Sequence, residues 1–159
     1  MKNILVLTGS PRKNGNSDLL ADAFIKGAES AGHKVNRFET GHKKIAGCRA
    51  CDKCWSQGTA CIYRDGFAEL EPLVEEADMI VIASPVYWFT MTAQVKAALD
   101  RLYAYVTDRS KKELKITESV LLSVAAEENI FEGIVSTYKL ISNYMEWKDL
   151  GIITVPLVE

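Results

Sequence analysis

Residues 3–30 read NILVLTGSPRKNGNSDLLADAFIKGAES. The first six form a continuous apolar run of strand length, the kind buried on both faces of a parallel sheet. Leu20, Phe24, Gly27 and Ala31 then recur at helical spacing, with Asn16 or Ser17 expected as the N-cap and Gly32 as the stop. Between the two lies TGSPRKNGNS (8–17), rich in glycine, hydroxyl, amide and cationic side chains. A loop from a strand into a helix aims backbone N–H groups and a helix dipole at one point, which suits an anion. Gly9 and Gly15 have the glycine spacing of the triphosphate motif GxxxxGK[ST], but Asn16 stands where the lysine belongs. GxGxxG is absent as well. The loop therefore suits a terminal phosphate that is held and never transferred; the bland alternative is a polar turn before a capped helix.

Outward from this unit the pattern repeats. KVNRFET (34–40) reads as a short strand, and Asp65–Glu76 as a helix with Asp65 as cap. MIVIAS (79–84) is the clearest strand. A helix over 91–106 follows, with Val95, Leu99, Leu102 and Val106 on one face. ESVLLSVAA (118–126) is a strand, 129–147 a helix and GIITVPLV (151–158) a last strand. Strands alternating with helices predict one α/β domain over 1–159, a parallel sheet with helices on both faces. Five strands fit the flavodoxin-like three-layer sandwich of order 2-1-3-4-5. Its ligand lies beyond the strands' carboxyl ends, where strands one and three diverge. Right-handed crossovers put the first helix alone on one face. A fifth helix after the last strand would join it there, but none is expected before Glu159, so an oligomer interface or a further segment is expected to cover that face.

Apolar residues make up 48 % of the 159-residue chain and charged residues 25 %, with a formal net charge of −2. These values predict a globular domain with a real core, and no broad basic surface for nucleic acid. No apolar run reaches membrane-spanning length and the first is too short for a signal peptide, so a cytoplasmic location is expected.

Two more segments carry chemistry. SPVYWFTM (84–91) sets three aromatic residues in a row at the edge of the expected site. They suit either the face and rim of a flat ring or an interface, with Thr90 or Thr92 capping the next helix. Backbone N–H groups near Val86–Trp88 are candidate stabilisers of negative charge on such a ring. The second segment holds all four cysteines, Cys48, Cys51, Cys54 and Cys61, as C-x2-C-x2-C-x6-C. The compact spacing fits an iron–sulfur cluster, reduced redox-active thiols or zinc. His33 and His42 have no partner at ligand spacing. Asp100 and Arg101 are expected to form a structural ion pair, and Lys111, Lys112 and Lys115 a solvated turn.

GSPRKNGNS (9–17), the cysteine segment (48–61) and SPVYWFTMTAQVKAALDR (84–101) together resemble the flavodoxin-like NAD(P)H-dependent FMN reductases, in particular their iron–sulfur flavoprotein branch. The resemblance implies that Ser10, Arg12, Asn14, Asn16 and Ser17 hold the FMN phosphate. Pro85, Val86, Tyr87, Trp88 and Phe89 would line the ribityl chain and the ring. Cys48, Cys51, Cys54 and Cys61 would be the ligands of a [4Fe–4S] cluster. It further implies NAD(P)H as donor, a quinone, other small acceptor or the cluster as recipient, and a homodimer or homotetramer. No catalytic side chain is singled out. SVAAEEN (123–129) departs from the family in lacking a loop glycine. A flavodoxin-type electron carrier and a cysteine- or cluster-based redox sensor are the competing readings.

Overall fold

The computed structural model describes residues 1–106 and 109–158. Five strands, β1 (Asn3–Thr8), β2 (Lys34–Glu39), β3 (Met79–Pro85), β4 (Glu118–Val124) and β5 (Lys148–Val155), form one sheet of order β2-β1-β3-β4-β5. Every neighbouring pair is parallel. The helices are α1 (Asn16–Ser30), α2 (Lys53–Gln57), α3 (Phe67–Glu76), α4 (Ala93–Asp100) and α5 (Glu132–Tyr144). α2 is a short helix inside the cysteine segment that periodicity did not predict.

Continuous apolar strands follow from burial on both sides, because successive side chains point to opposite faces. Leu5, Leu7, Ile80, Ile82 and Leu121 face a core shared with Phe67, Leu70, Val74, Val95, Leu99, Ile134 and Tyr138 of α3, α4 and α5. Ile4, Val6, Met79, Val81, Val120 and Leu122 face the other way, against Ala21, Leu20 and Phe24 of α1. Among the described residues no helix follows β5, and Leu150 and Ile153 of that strand stay exposed.

Several boundaries move for local reasons. α1 is capped by the extended backbone of Gly15, with no side-chain cap bond, so neither Asn16 nor Ser17 is the N-cap. α4 ends at Asp100 and tightens into a 3-10 turn, Arg101–Tyr105, in place of one long helix. That break separates Asp100 from Arg101. Asp100 pairs with Lys96 one turn earlier, as neighbours in sequence do not face each other on a helix. Lys112 is likewise bonded, to Glu71 at 2.8 Å and Glu75 at 2.5 Å. His33 accepts the Lys2 backbone N–H at 3.2 Å.

The excursion between β2 and α3 is held by carboxylates. Asp65 receives the N–H groups of Ala46 and Phe67, each at 3.0 Å, and pairs with Arg101 at 3.0 Å. Glu71 receives the Ala60 N–H at 3.2 Å and the Lys112 ammonium. Burial pushes both carboxyls up. For Asp65 the N–H donors and Arg101 outweigh that effect, and for Glu71 Lys112 and Ala60 do, so both end below the ordinary carboxylate range. A lowered carboxyl stabilises the fold above the unfolded value of about 4 and loses that contribution as pH falls through its folded value. Urea midpoints should therefore fall between about pH 5 and pH 3, and Asp65→Asn should flatten part of the fall. Parallel curves for the two proteins would contradict this assignment.

Candidate functional site

The carboxyl ends of β1, β3 and β4 are cross-linked by buried hydroxyls. Thr40 Oγ1 donates to Thr8 O at 2.9 Å, and Thr92 Oγ1 donates to Gly9 O at 2.9 Å. Ser84 Oγ accepts the Thr92 N–H at 3.1 Å, and Ser123 Oγ donates to Ser84 O at 2.9 Å. Thr92 also caps α4 through the Val95 N–H, as its position predicts. Gly9 has to be glycine here: an added Cβ would lie 2.3 Å from Val95 Cγ2 and 2.7 Å from Thr92 Oγ1. These bonds hold three loops at one end of the sheet in a fixed relation.

Between the loops lies a crevice of about 290 Å³. Ser10, Arg12, Asn16 and Ser17 line one side, and Pro85, Val86 and Tyr87 the other. Gly15, Val124, Ala125, Ala126 and Val158 complete it. Asn14, Trp88 and Phe89 stand outside its lining. The loop after β4, singled out in the sequence for lacking a glycine, contributes the small side chains of Ala125 and Ala126, which sequence reasoning did not name as site residues.

The side formed by the loop before α1 is polar and sits at a helix N-terminus. α1 runs 15 residues from the extended backbone of Gly15, and its dipole places partial positive charge at this end. Ser10 Oγ accepts the Arg12 N–H at 3.1 Å and donates to Arg12 O at 3.0 Å, folding the loop back over the helix start. Asp18 in the first turn is buried and bonded to Arg37 at 2.7 Å. Its charge is thereby balanced away from the loop.

The aromatic side is a tight turn. Tyr87 and Thr90 exchange backbone bonds of 2.9 and 3.2 Å. Trp88 and Phe89 between them have φ of 47° and 67°. Two left-handed central residues define a type I′ turn, which favours Asn-Gly and is strained by aromatic residues. Its floor is Gly133 of α5, where an added Cβ would lie 2.0 Å from Phe89 O. Trp88 is 92 % exposed, so core packing does not explain the strain. The Val86 N–H is taken by Val124 O and the Tyr87 N–H by Thr90 O. Two of the backbone donors expected to face a ring thus serve the protein itself.

The four cysteines line one small pocket beside Arg101 and Tyr103. All four are free thiols. Ala50 and Asp52 adopt left-handed conformations, φ 49° and 57°, and wind the segment so that Cys48, Cys51 and Cys54 turn to the same side. Burial pushes the Cys54 thiol up, and its neighbours Cys61 and Cys51 add to the rise against local backbone N–H groups. A raised thiol holds less thiolate at neutral pH, which disfavours a poised nucleophile. Among the described residues no group of three or more His, Cys, Asp or Glu side chains is gathered closely enough to hold a metal ion. No helix of the described residues is long and apolar enough to cross a membrane.

The chain resembles known proteins in sequence and in fold. The iron–sulfur flavoprotein of Methanosarcina thermophila is 31 % identical over 123 residues, 77 % of this chain and 63 % of that protein. An iron–sulfur flavoprotein of Archaeoglobus fulgidus is 43 % identical over 105 residues, 66 % of this chain and 47 % of the other. The chain thus spans about half to two thirds of the length of these relatives. In fold it matches the NAD(P)H:quinone oxidoreductase from Methanothermobacter marburgensis, with a TM-score of 0.76 at 18 % identity over 98 % of this chain and 84 % of that one. An FMN-dependent NADH-azoreductase from Bacillus anthracis, solved in complex with FMN, matches with a TM-score of 0.73 at 13 % identity, over 99 % and 88 %. The family model described as NADPH-dependent FMN reductase covers residues 2–158, and the chain belongs to that family.

Proposed function

We propose that the chain binds FMN in the crevice between the β1, β3 and β4 loops and passes electrons from NAD(P)H through it to a small acceptor such as a quinone. The observation that carries this reading is that the loop before α1 and the loop after β3 line one crevice, Ser10, Arg12, Asn16 and Ser17 facing Pro85, Val86 and Tyr87. The flavin, when bound, supplies the hydride and electron chemistry, and the protein binds and orients it. Ser10, Arg12, Asn16, Ser17 and the first N–H groups of α1 would hold the phosphate, with Asn14 at the loop's outer edge. Pro85, Val86 and Tyr87 would lie along the ring, with Ala125 and Ala126 permitting close backbone approach. Trp88 and Phe89, exposed at the turn, would cover the ring or pack against a second subunit of a homodimer or homotetramer.

Cys48, Cys51, Cys54 and Cys61 share one pocket, but its free volume of about 20 Å³ has room for about one water and does not fit a [4Fe–4S] cluster as the segment stands. Among the described residues the thiols are not gathered closely enough to hold a metal ion, zinc included. Iron–sulfur flavoproteins among the relatives are the support for a cluster here. A cytoplasmic setting suits such reduced thiols.

The phosphate assignment predicts a selective effect. Arg12→Ala should weaken FMN binding about tenfold, about 1.4 kcal/mol, and leave riboflavin binding unchanged. Fluorescence titration with both ligands reads this, and equal losses for the two would place the phosphate elsewhere. The turn predicts opposite effects on stability and binding. Replacing Trp88 by Asn together with Phe89 by Gly relieves two strained residues, worth about 1–2 kcal/mol together, and should raise Tm by roughly 2–8 °C. The same variant should bind FMN more weakly. A lowered Tm would mean that the aromatic pair supports the fold and not the ligand.

A further inference from the structure

Four free thiols border one void of about 20 Å³, yet among the described residues no three of them are gathered to hold a metal ion. The protein itself shapes the segment that carries them. Arg101 Nη1 donates to Ala46 O at 2.8 Å and Nη2 to Tyr63 O at 3.0 Å, so one buried side chain draws the two ends of the segment together. Within it Asp52, in the left-handed region at φ 57°, turns the chain into α2, and its carbonyl accepts the Trp55 N–H at 3.2 Å. Trp55 is buried and its ring centre lies 4.8 Å from that of Tyr103, which pins α2 in place. Cys51 and Cys54 straddle this turn. Cys51 precedes it and is exposed, while Cys54, in the first turn of α2, is half-buried against the core. Cys48 differs, because its sulfur already accepts the Ala50 N–H at 3.4 Å. Cys61 lies past the end of α2 and is itself half-buried.

An exposed thiol followed, two residues on, by a sheltered one is the arrangement of a dithiol that exchanges with disulfides. A disulfide needs no cavity, since its sulfurs lie about 2.05 Å apart, so a void too small for a cluster is no obstacle to it. That void seats about one water and no side chain of a partner, which favours a small disulfide as substrate. We propose that Cys51 and Cys54 form a thiol–disulfide exchange site for a low-molecular-weight disulfide, Cys51 attacking and Cys54 resolving. The Cys51 thiolate attacks one sulfur of the substrate RSSR. A Cys51–SR bond forms, the substrate S–S bond breaks, and the released thiolate takes up a proton. The Cys54 sulfur, losing its proton, then attacks Cys51 Sγ; the Cys51–Cys54 bond forms and the second RSH leaves. Two electrons pass from the protein to the substrate, and the two thiol protons leave with two RSH. The exchange needs no flavin and is independent of the FMN crevice.

Anaerobically reduced chain mixed with excess glutathione disulfide, quenched by alkylation and mapped by tryptic mass spectrometry, tests this. Cleavage after Arg49, Lys53 and Arg64 puts Cys51 in residues 50–53, and Cys54 with Cys61 in residues 54–64. The wild type should release two glutathione thiols per chain and yield 50–53 bonded to 54–64. Fragmentation should place the bond at Cys54 and the alkyl group on Cys61. Cys51→Ser should lose at least about tenfold in the rate of thiol release. Cys54→Ser should stop at the mixed disulfide, with one glutathione held on Cys51 and one released. Should either variant not fold, the wild-type map alone decides. A bond between any other pair, or a Cys51→Ser chain that reacts as the wild type does, overturns the assignment. Thiols that stay free in excess glutathione disulfide overturn the site itself. So does a chain isolated without air that carries iron and sulfide and whose cysteines resist alkylation, the result a cluster would give.

Discussion

β1 is hydrogen-bonded in parallel on both edges, to β2 on one side and β3 on the other. That pairing sends the chain away from β1 in opposite directions and opens a crevice above its carboxyl end. The loops after β1 and β3 have nowhere else to meet. Thr92 on Gly9 O, Ser84 on the Thr92 N–H and Ser123 on Ser84 O then lock the geometry with short, buried bonds. A site built this way is rigid on its sheet side and strained on its aromatic side. Strain held at Trp88 and Phe89 over Gly133 has no counterpart in the core, as expected where ligand geometry outweighs local preference.

The cysteine segment obeys a different constraint. The cysteine segment has little regular structure beyond α2, so its shape comes from anchors at its ends. Arg101 is the principal anchor, and it is available because α4 stops at Asp100 and the following turn points the guanidinium inward. Glu71, with Lys112 and the Ala60 N–H, secures the far end. Replacing such a buried pair by one partner alone is costly, which explains why both ends depend on the same few charges.

The sheet was legible in the sequence because parallel strands buried on both faces are continuous apolar runs, and NILVLT and MIVIAS are unambiguous. The loops after β1 and β3 were legible as polar and aromatic residues at the ends of those strands, and they meet at one crevice. The rest needed tertiary information. Adjacent charges suggested an Asp100–Arg101 pair, yet Arg101 bonds to Asp65, 36 residues earlier, and no local pattern encodes that. Lys112 read as solvated because Glu71 and Glu75 lie far away in sequence. Gly15 displaced Asn16 and Ser17 as the cap of α1, a choice of backbone conformation that composition does not express. Ala125 and Ala126 entered the crevice through their smallness, the weakest signal a sequence carries.

The central claim is that one crevice orients FMN for reduction by a nicotinamide. Anaerobic stopped-flow mixing of the FMN-loaded chain with NADPH, and separately NADH, tests it most directly. The account predicts loss of the flavin band near about 450 nm, with a rate that saturates as nicotinamide concentration rises. A tightly bound flavin whose band neither nicotinamide bleaches would contradict it, and would make the chain an electron carrier served by another protein.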